Sequence, residues 1–182
     1  MKKNYLSEEM WVIVGIDPGV NTGLALFVYN SKDDSMVLFI CSSYDISIIL
    51  DDLLHLDKYD TSKTIFLIED ARERKWFGTA ESKIYQKIKS RQPINASELS
   101  TYKGMLLGAG SVRRDCAILE SLMQKMEYNY QMIAPKNNKT KTTAAQFKAL
   151  TGWKERTNEH GRDAAMLVLS NYKQALKTFE AK

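Results

Sequence analysis

Cysteine, histidine and long apolar runs are scarce in this 182-residue chain, and each scarcity removes a class of protein. There are two cysteines and two histidines. Cys41 and Cys116 lie in separate apolar stretches with no CxxC and no second Cys/His pair, which argues against a zinc module and for two buried thiols in a reducing compartment. No run approaches the roughly 18 apolar residues needed to cross a membrane, and no apolar signal core follows the basic Met1-Lys2-Lys3-Asn4. The expected setting is the cytoplasm, with no membrane partner. Glycines nowhere fall into phosphate-loop spacing, so a nucleotide cradle is not expected. With no repeat, low-complexity tract or linker, and 44% hydrophobic residues, one domain over residues 1–182 is expected, frayed at about 1–9 and 175–182.

Charge is unevenly spread. The chain carries +4 overall, but −7 over residues 1–71, +7 over residues 72–114 and +4 over residues 115–182. A segregated basic region fits a phosphate-backbone footprint around an acidic site; solvated helix faces would give the same count.

Two apolar runs each end in an acid. Val12-Ile13-Val14-Gly15-Ile16-Asp17-Pro18-Gly19 is too short for a helix and rich in β-branched residues, so it reads as a strand buried on both faces. Pro18 fixes its own φ and Gly19 is expected to take a conformation closed to other residues, while Gly23 opens the next strand. A plain Asx-turn explains this stretch equally well in isolation. Thr64-Ile65-Phe66-Leu67-Ile68-Glu69-Asp70 repeats the pattern, with Glu69 in the place of Asp17 and Asp70 facing the other way. If the two strands are parallel neighbours, both carboxylates leave the same end of the sheet, where a divalent cation keeps both ionised. Near the C-terminus, His160-Gly161-Arg162-Asp163-Ala164-Ala165 sets His160 and Asp163 on one face of a helix start. The lone His55 ends an amphipathic helix and has no partners by pattern.

The expected elements are strands at about 11–17, 23–29 and 36–42, a helix at 45–56, and a strand at 64–69. Helices follow within about 79–127, then a strand at 128–134 and helices near 142–150 and 160–177. Three hairpin-linked strands followed by alternating helix and strand predict an α/β fold. Its mixed five-stranded sheet has helices on both faces, and a right-handed crossover puts the fourth strand beside the first.

With Gly15-Ile16-Asp17-Pro18-Gly19, the run into Glu69 and His160-x-x-Asp163-Ala164-Ala165 in this order, the chain resembles the RuvC-type Holliday junction resolvases of the RNase H-like superfamily. In size and motif style it is most similar to phage-encoded versions, and the match runs from about Val12 to about Tyr172. The resemblance implies that Asp17, Glu69, His160 and Asp163 bind Mg²⁺ or Mn²⁺, one or two ions per subunit. Many members have Asp where this chain has His160. The activity implied is hydrolysis of four-way junctions, with other branched DNA as further substrates, to 5′-phosphate and 3′-hydroxyl ends by a homodimer. A C₂ dimer matches the two-fold symmetry of the junction.

Contacts to DNA are expected from three places. Arg72, Arg74, Lys75, Trp76 and Phe77 follow the second acid, combining charge for phosphate with aromatics that stack on bases; by resemblance, Trp76 or Phe77 would act as a wedge. Core packing is the competing role for these aromatics. Arg113 and Arg114 lie where Gly108 to Arg114 are read as opening a long amphipathic helix, the two glycines Gly108 and Gly110 permitting close contact; surface ion pairing is the alternative. Lys136, Lys139 and Lys141 precede a short helix whose N-cap is Thr142 or Thr143, near the end of the sheet where the acids gather. Two other readings remain: an RNase H-like nuclease of the YqgF type acting on structured RNA, and a non-catalytic module binding branched DNA.

Overall fold

A computed structural model describes residues 7–56, 61–73, 83–135 and 141–180. Strands β1 (Met10–Asp17), β2 (Thr22–Asn30), β3 (Ser35–Tyr44), β4 (Thr64–Glu69) and β5 (Asn129–Ile133) form one sheet in the order β3-β2-β1-β4-β5. The hairpin-linked strands β1, β2 and β3 pair antiparallel, whereas β1, β4 and β5 pair parallel. The sheet is therefore the mixed five-stranded one expected from the sequence, with β4 beside β1.

Alternation along the central strands splits the core in two. On one face Ile13, Phe27, Ile65 and Leu67 pack with Phe147 of α4 (Ala144–Thr151) and with Ala164, Leu167 and Val168 of α5 (Glu159–Glu180). On the other, Val14, Ile16, Phe66 and Ile68 meet Ile49 and Leu53 of α1 (Ile46–His55) and Leu119 and Met123 of α3 (Ala96–Lys125). Every residue of β4 is buried, as a strand covered on both faces requires. Helix α2 (Lys83–Lys89) precedes α3 and buries no side chain. Cys41 and Cys116 are both buried thiols.

Local chemistry fixes the helix starts. Asn95 and Glu98 form a capping box at α3, and Thr143 and Gln146 form another at α4, so Thr143 and not Thr142 is the cap. Asn158 accepts from the Gly161 N–H at 2.8 Å and donates to Ser43 Oγ at 2.8 Å, starting α5 while tying it to β3.

Four expectations need correction. The long helix does not open at Gly108: it is already under way from Ala96, because the Asn95–Glu98 box satisfies the first turn. Gly108 and Gly110 make no close contact with the described residues, since a Cβ on either would meet none of their atoms within 4 Å. Gly19 is not left-handed; Gly152 at the end of α4 is the positive-φ glycine among the described residues, and the β1–β2 turn is held by Thr22 Oγ1 donating to the Gly19 carbonyl at 3.0 Å. Fraying does not begin at Ala175, because α5 runs to Glu180 with Ala175 and Leu176 in the core. Residues 7–9 are likewise tied in, through Met10 N–H to Ser7 and Ser31 N–H to Glu9.

The glycines that do matter seat α5. A Cβ on Gly15 would lie 2.2 Å from the Ala164 carbonyl oxygen, one on Gly23 would lie 2.1 Å from that of His160, and one on Gly161 would lie 2.8 Å from Ser42 N. Three strands thus touch the first turns of α5 backbone to backbone, which sets where His160 and Asp163 stand. Gly23→Ala is expected to cost about 1–3 kcal/mol, the usual penalty for overpacking, because the clash is with main chain that cannot swing aside. Urea unfolding of the variant beside the parent checks it; an unchanged midpoint would mean that α5 shifts at no cost.

Candidate metal centre

The parallel register pairs Ile16 with Ile68, so the next residues, Asp17 and Glu69, end adjacent strands at the same edge of the sheet. Helix α5 starts over that edge. Asp17, Glu69, His160, Asp163 and Lys141 line one cavity of about 480 Å³. The three acids are 9%, 5% and 7% exposed respectively, deep enough that none can rely on water to carry its charge.

Burial is the main force on Asp17 and, with the negative charges of Glu69 and Asp163, pushes its carboxyl up to about 7. His160 opposes this, its Nδ1 lying 3.5 Å from Asp17 Oδ2. Burial also raises Asp163, against the opposing pull of Lys141. The Lys141 ammonium donates to Asp163 Oδ2 at 3.1 Å and to Glu159, and these two partners raise its own pKa despite partial burial. Asp163 Oδ1 is buried and has no hydrogen-bond partner among the described residues.

This donor set suits a hard divalent cation. It offers three carboxylates and one imidazole, an orphaned buried oxygen, and mutual repulsion that positive charge would relieve. Among the described residues, no three His, Cys, Asp or Glu side chains are arranged to hold a metal ion as they stand. Lys141 meanwhile supplies the positive charge at Asp163.

The residues expected to meet DNA are placed less uniformly. Lys141 is in the site. Arg72 is committed elsewhere: Nε and NH2 each donate to Asp70 at 2.7 Å, and NH1 donates to Glu120 at 2.6 Å, bracketing the turn after β4 to α3. Asp70 accordingly faces away from the cavity that Glu69 lines. Arg113 and Arg114 are exposed on α3, and Arg114 lies 3.8 Å from Asp115. Arg74, Lys75, Trp76, Phe77, Lys136 and Lys139 lie outside the described residues. His55 is exposed at the end of α1, its Nδ1 2.7 Å from the Asp51 carbonyl.

The Arg72 bracket has a stability signature. The guanidinium holds Asp70 below its ordinary value, so the pair contributes above the unfolded carboxylate value of about 3.9 and the contribution is lost as pH falls through the lowered native one. Arg72→Met is expected to lower unfolding free energy at neutral pH by about 1–2 kcal/mol, discounted for the partial exposure of the arginine. The gap between variant and parent should close in acid; a gap that persists below the native Asp70 value would assign the loss to packing instead.

Two contributors have no strong mark in the sequence. Arg162 donates from Nε to the Thr142 carbonyl and from NH1 to Thr157, holding the segment next to Lys141 against the start of α5. Met105, Gly108, Ala109 and Val112 of α3 form the far wall of the cavity, and their helical spacing is the signal that could have found them.

Compared with known proteins, the chain matches no family model and no curated protein sequence. Among solved structures it is similar to T. thermophilus RuvC in complex with Holliday junction substrate, at 16% identity and a TM-score of 0.50. The alignment covers 92% of this chain and 97% of that one. The likeness is one of architecture, and it gives this chain a RuvC-like fold.

Proposed function

We propose that this chain is a divalent-metal-dependent endonuclease that resolves four-way DNA junctions and other branched DNA. It would act as a single nuclease domain within a two-fold homodimer in the cytoplasm. One observation carries the reading: buried Asp17 and Glu69, ending parallel neighbouring strands, share a cavity with His160 and Asp163 of the last helix. The RuvC-like fold supports it, as does the solved neighbour, which was captured on a Holliday junction.

Asp17, Glu69, His160 and Asp163 would hold Mg²⁺ or Mn²⁺, one or two ions. The metal supplies a more acidic attacking water and charge stabilisation at the leaving oxygen. The chain's own part is positioning. Burial and mutual repulsion keep the carboxylates reactive toward a cation, and Asn158, Gly23 and Gly161 fix the start of α5. Lys141, which donates to Asp163 in the structure, would on release meet a phosphate oxygen and offset developing negative charge. The basic stretch of residues 72–114 provides the approach for a polyanion, with Arg113 and Arg114 at its end. Arg74, Lys75, Trp76 and Phe77 would enter the branch point, and Lys136 and Lys139 would flank the cut strand.

End-labelled four-way junction, linear duplex and structured RNA, each incubated with and without Mg²⁺ or Mn²⁺, test the reading. The expected result is paired, metal-dependent nicks in the junction alone, with 5′-phosphate ends. Cutting of the RNA in preference to the junction would favour the RNase reading, and tight junction binding without any cutting would favour a non-catalytic module.

A further inference from the structure

The cavity has walls of opposite character. Asp17, Glu69, His160 and Asp163 make one; Met105, Gly108, Ala109 and Val112 of α3 make the other, with Val20 of the β1–β2 turn at the rim, 78% exposed. The α3 residues continue a stripe that begins in the core, where Cys116, Leu119 and Met123 are fully buried. A helix of 30 residues is about 45 Å long, so its C-terminal part covers the sheet while its middle turns, Met105 to Val112, line the cavity with the acids. Among the described residues, none fills the space beneath those turns. A Cβ on Gly108 would touch no atom of the described residues within 4 Å, although glycine inside a helix costs stability. The opposite wall keeps the unpartnered, buried Asp163 Oδ1.

A ligand that suits both walls has an anionic part beside an uncharged, largely apolar one, and a nucleotide within a DNA strand has both. The geometry points to the α3 wall as a nucleoside slot: the sugar and base next to the scissile phosphate lie against Met105, Gly108, Ala109 and Val112, in the room left by Gly108. This rests on the nuclease reading given above and deepens it. The four side chains of the wall carry no nitrogen or oxygen, so the slot selects by size and shape and does not read base edges. It takes one nucleoside out of its stack, which costs least beside a branch point.

Gly108→Leu fills the slot with a better helix former, and its Cβ meets no described neighbour within 4 Å, so the variant is expected to fold, which circular dichroism checks. Gly110→Leu is the control: its Cβ is equally unhindered, but Gly110 does not line the cavity. Both variants should bind Mn²⁺ as the parent does, and Gly110→Leu should also bind a four-way junction as the parent does. Gly108→Leu should cut roughly 100-fold more slowly, the scale of loss for a substrate displaced by about an ångström, and Gly110→Leu at the parental rate. Parental cutting by Gly108→Leu, or equal slowing by both variants, overturns the slot. A parent that cuts no branched DNA contradicts the nuclease reading instead. In that event the methyl NMR signals of Met105 and Val112 decide the slot, during titration with thymidine 5′-(p-nitrophenyl phosphate) and Mg²⁺. Movement of both signals supports a nucleoside site, and unmoved signals overturn it.

Discussion

Asp17→Asn is expected to bind a four-way junction as tightly as the parent and to cut it at least about a thousandfold more slowly. A metal centre of this kind supplies several kcal/mol of transition-state stabilisation, and the change removes a ligand charge while keeping the shape. The same substitution should make the metal-free protein more stable at neutral pH. Asp17 titrates at about 7 in the fold against 3.8 in the unfolded chain, so the native state binds more protons between those values and loses stability as pH rises through that window. Asparagine carries no charge to desolvate and escapes the loss, a gain on the order of 2–4 kcal/mol at most. Thermal unfolding from pH 4 to pH 8 without metal checks this. The parent curve should fall relative to the variant toward neutrality; parallel curves would mean that Asp17 is not strained, and residual cutting near the parental rate would remove it from the site.

His160→Ala is expected to lose most cleavage and to weaken Mn²⁺ binding by roughly 10–100-fold, the scale seen when an element of a metal site is removed. His160→Asp should keep activity in Mg²⁺. The imidazole is a softer ligand than carboxylate and leaves the site one negative charge short, so the parent should favour Mn²⁺ over Mg²⁺ and the Asp variant less so. His160 also lies 3.5 Å from Asp17 Oδ2, so its loss removes a contact that favours the charged carboxylate. Paired titrations with both ions, with and without junction, separate the effects. An Ala variant matching the parent in either ion would make His160 structural and leave three protein ligands.

What could be read from the sequence was whatever a strand period or a short motif carries by itself. Val12 to Asp17 and Thr64 to Glu69 are continuous apolar runs because both strands are covered on both faces, and that same burial makes the acids at their ends conspicuous. His160 and Asp163 stand out because three residues make about one helical turn. The start of α3 was misread because Gly108 and Gly110 resemble a boundary, whereas the Asn95–Glu98 box earlier in the chain sets it. Gly23 reads locally as the residue that opens β2; the close approach that requires it comes from His160, more than a hundred residues away, and no local pattern encodes that. Arg72 looked like a free cation beside the site, and its engagement with Glu120 is a tertiary fact of the same kind. The pairing of Lys141 with Asp163 and Glu159 likewise depends on where α5 begins, which no local pattern around Lys141 encodes.

The central claim is that Asp17, Glu69, His160 and Asp163 form one metal site, and the most direct test is the anomalous scattering of crystals grown with Mn²⁺. The expected result is a peak between the ends of β1 and β4 and the first turn of α5, with Lys141 displaced from Asp163 and the peak absent from Asp17→Asn. Well-diffracting crystals in saturating Mn²⁺ with no peak in that cavity, and Lys141 still seated on Asp163, would contradict it.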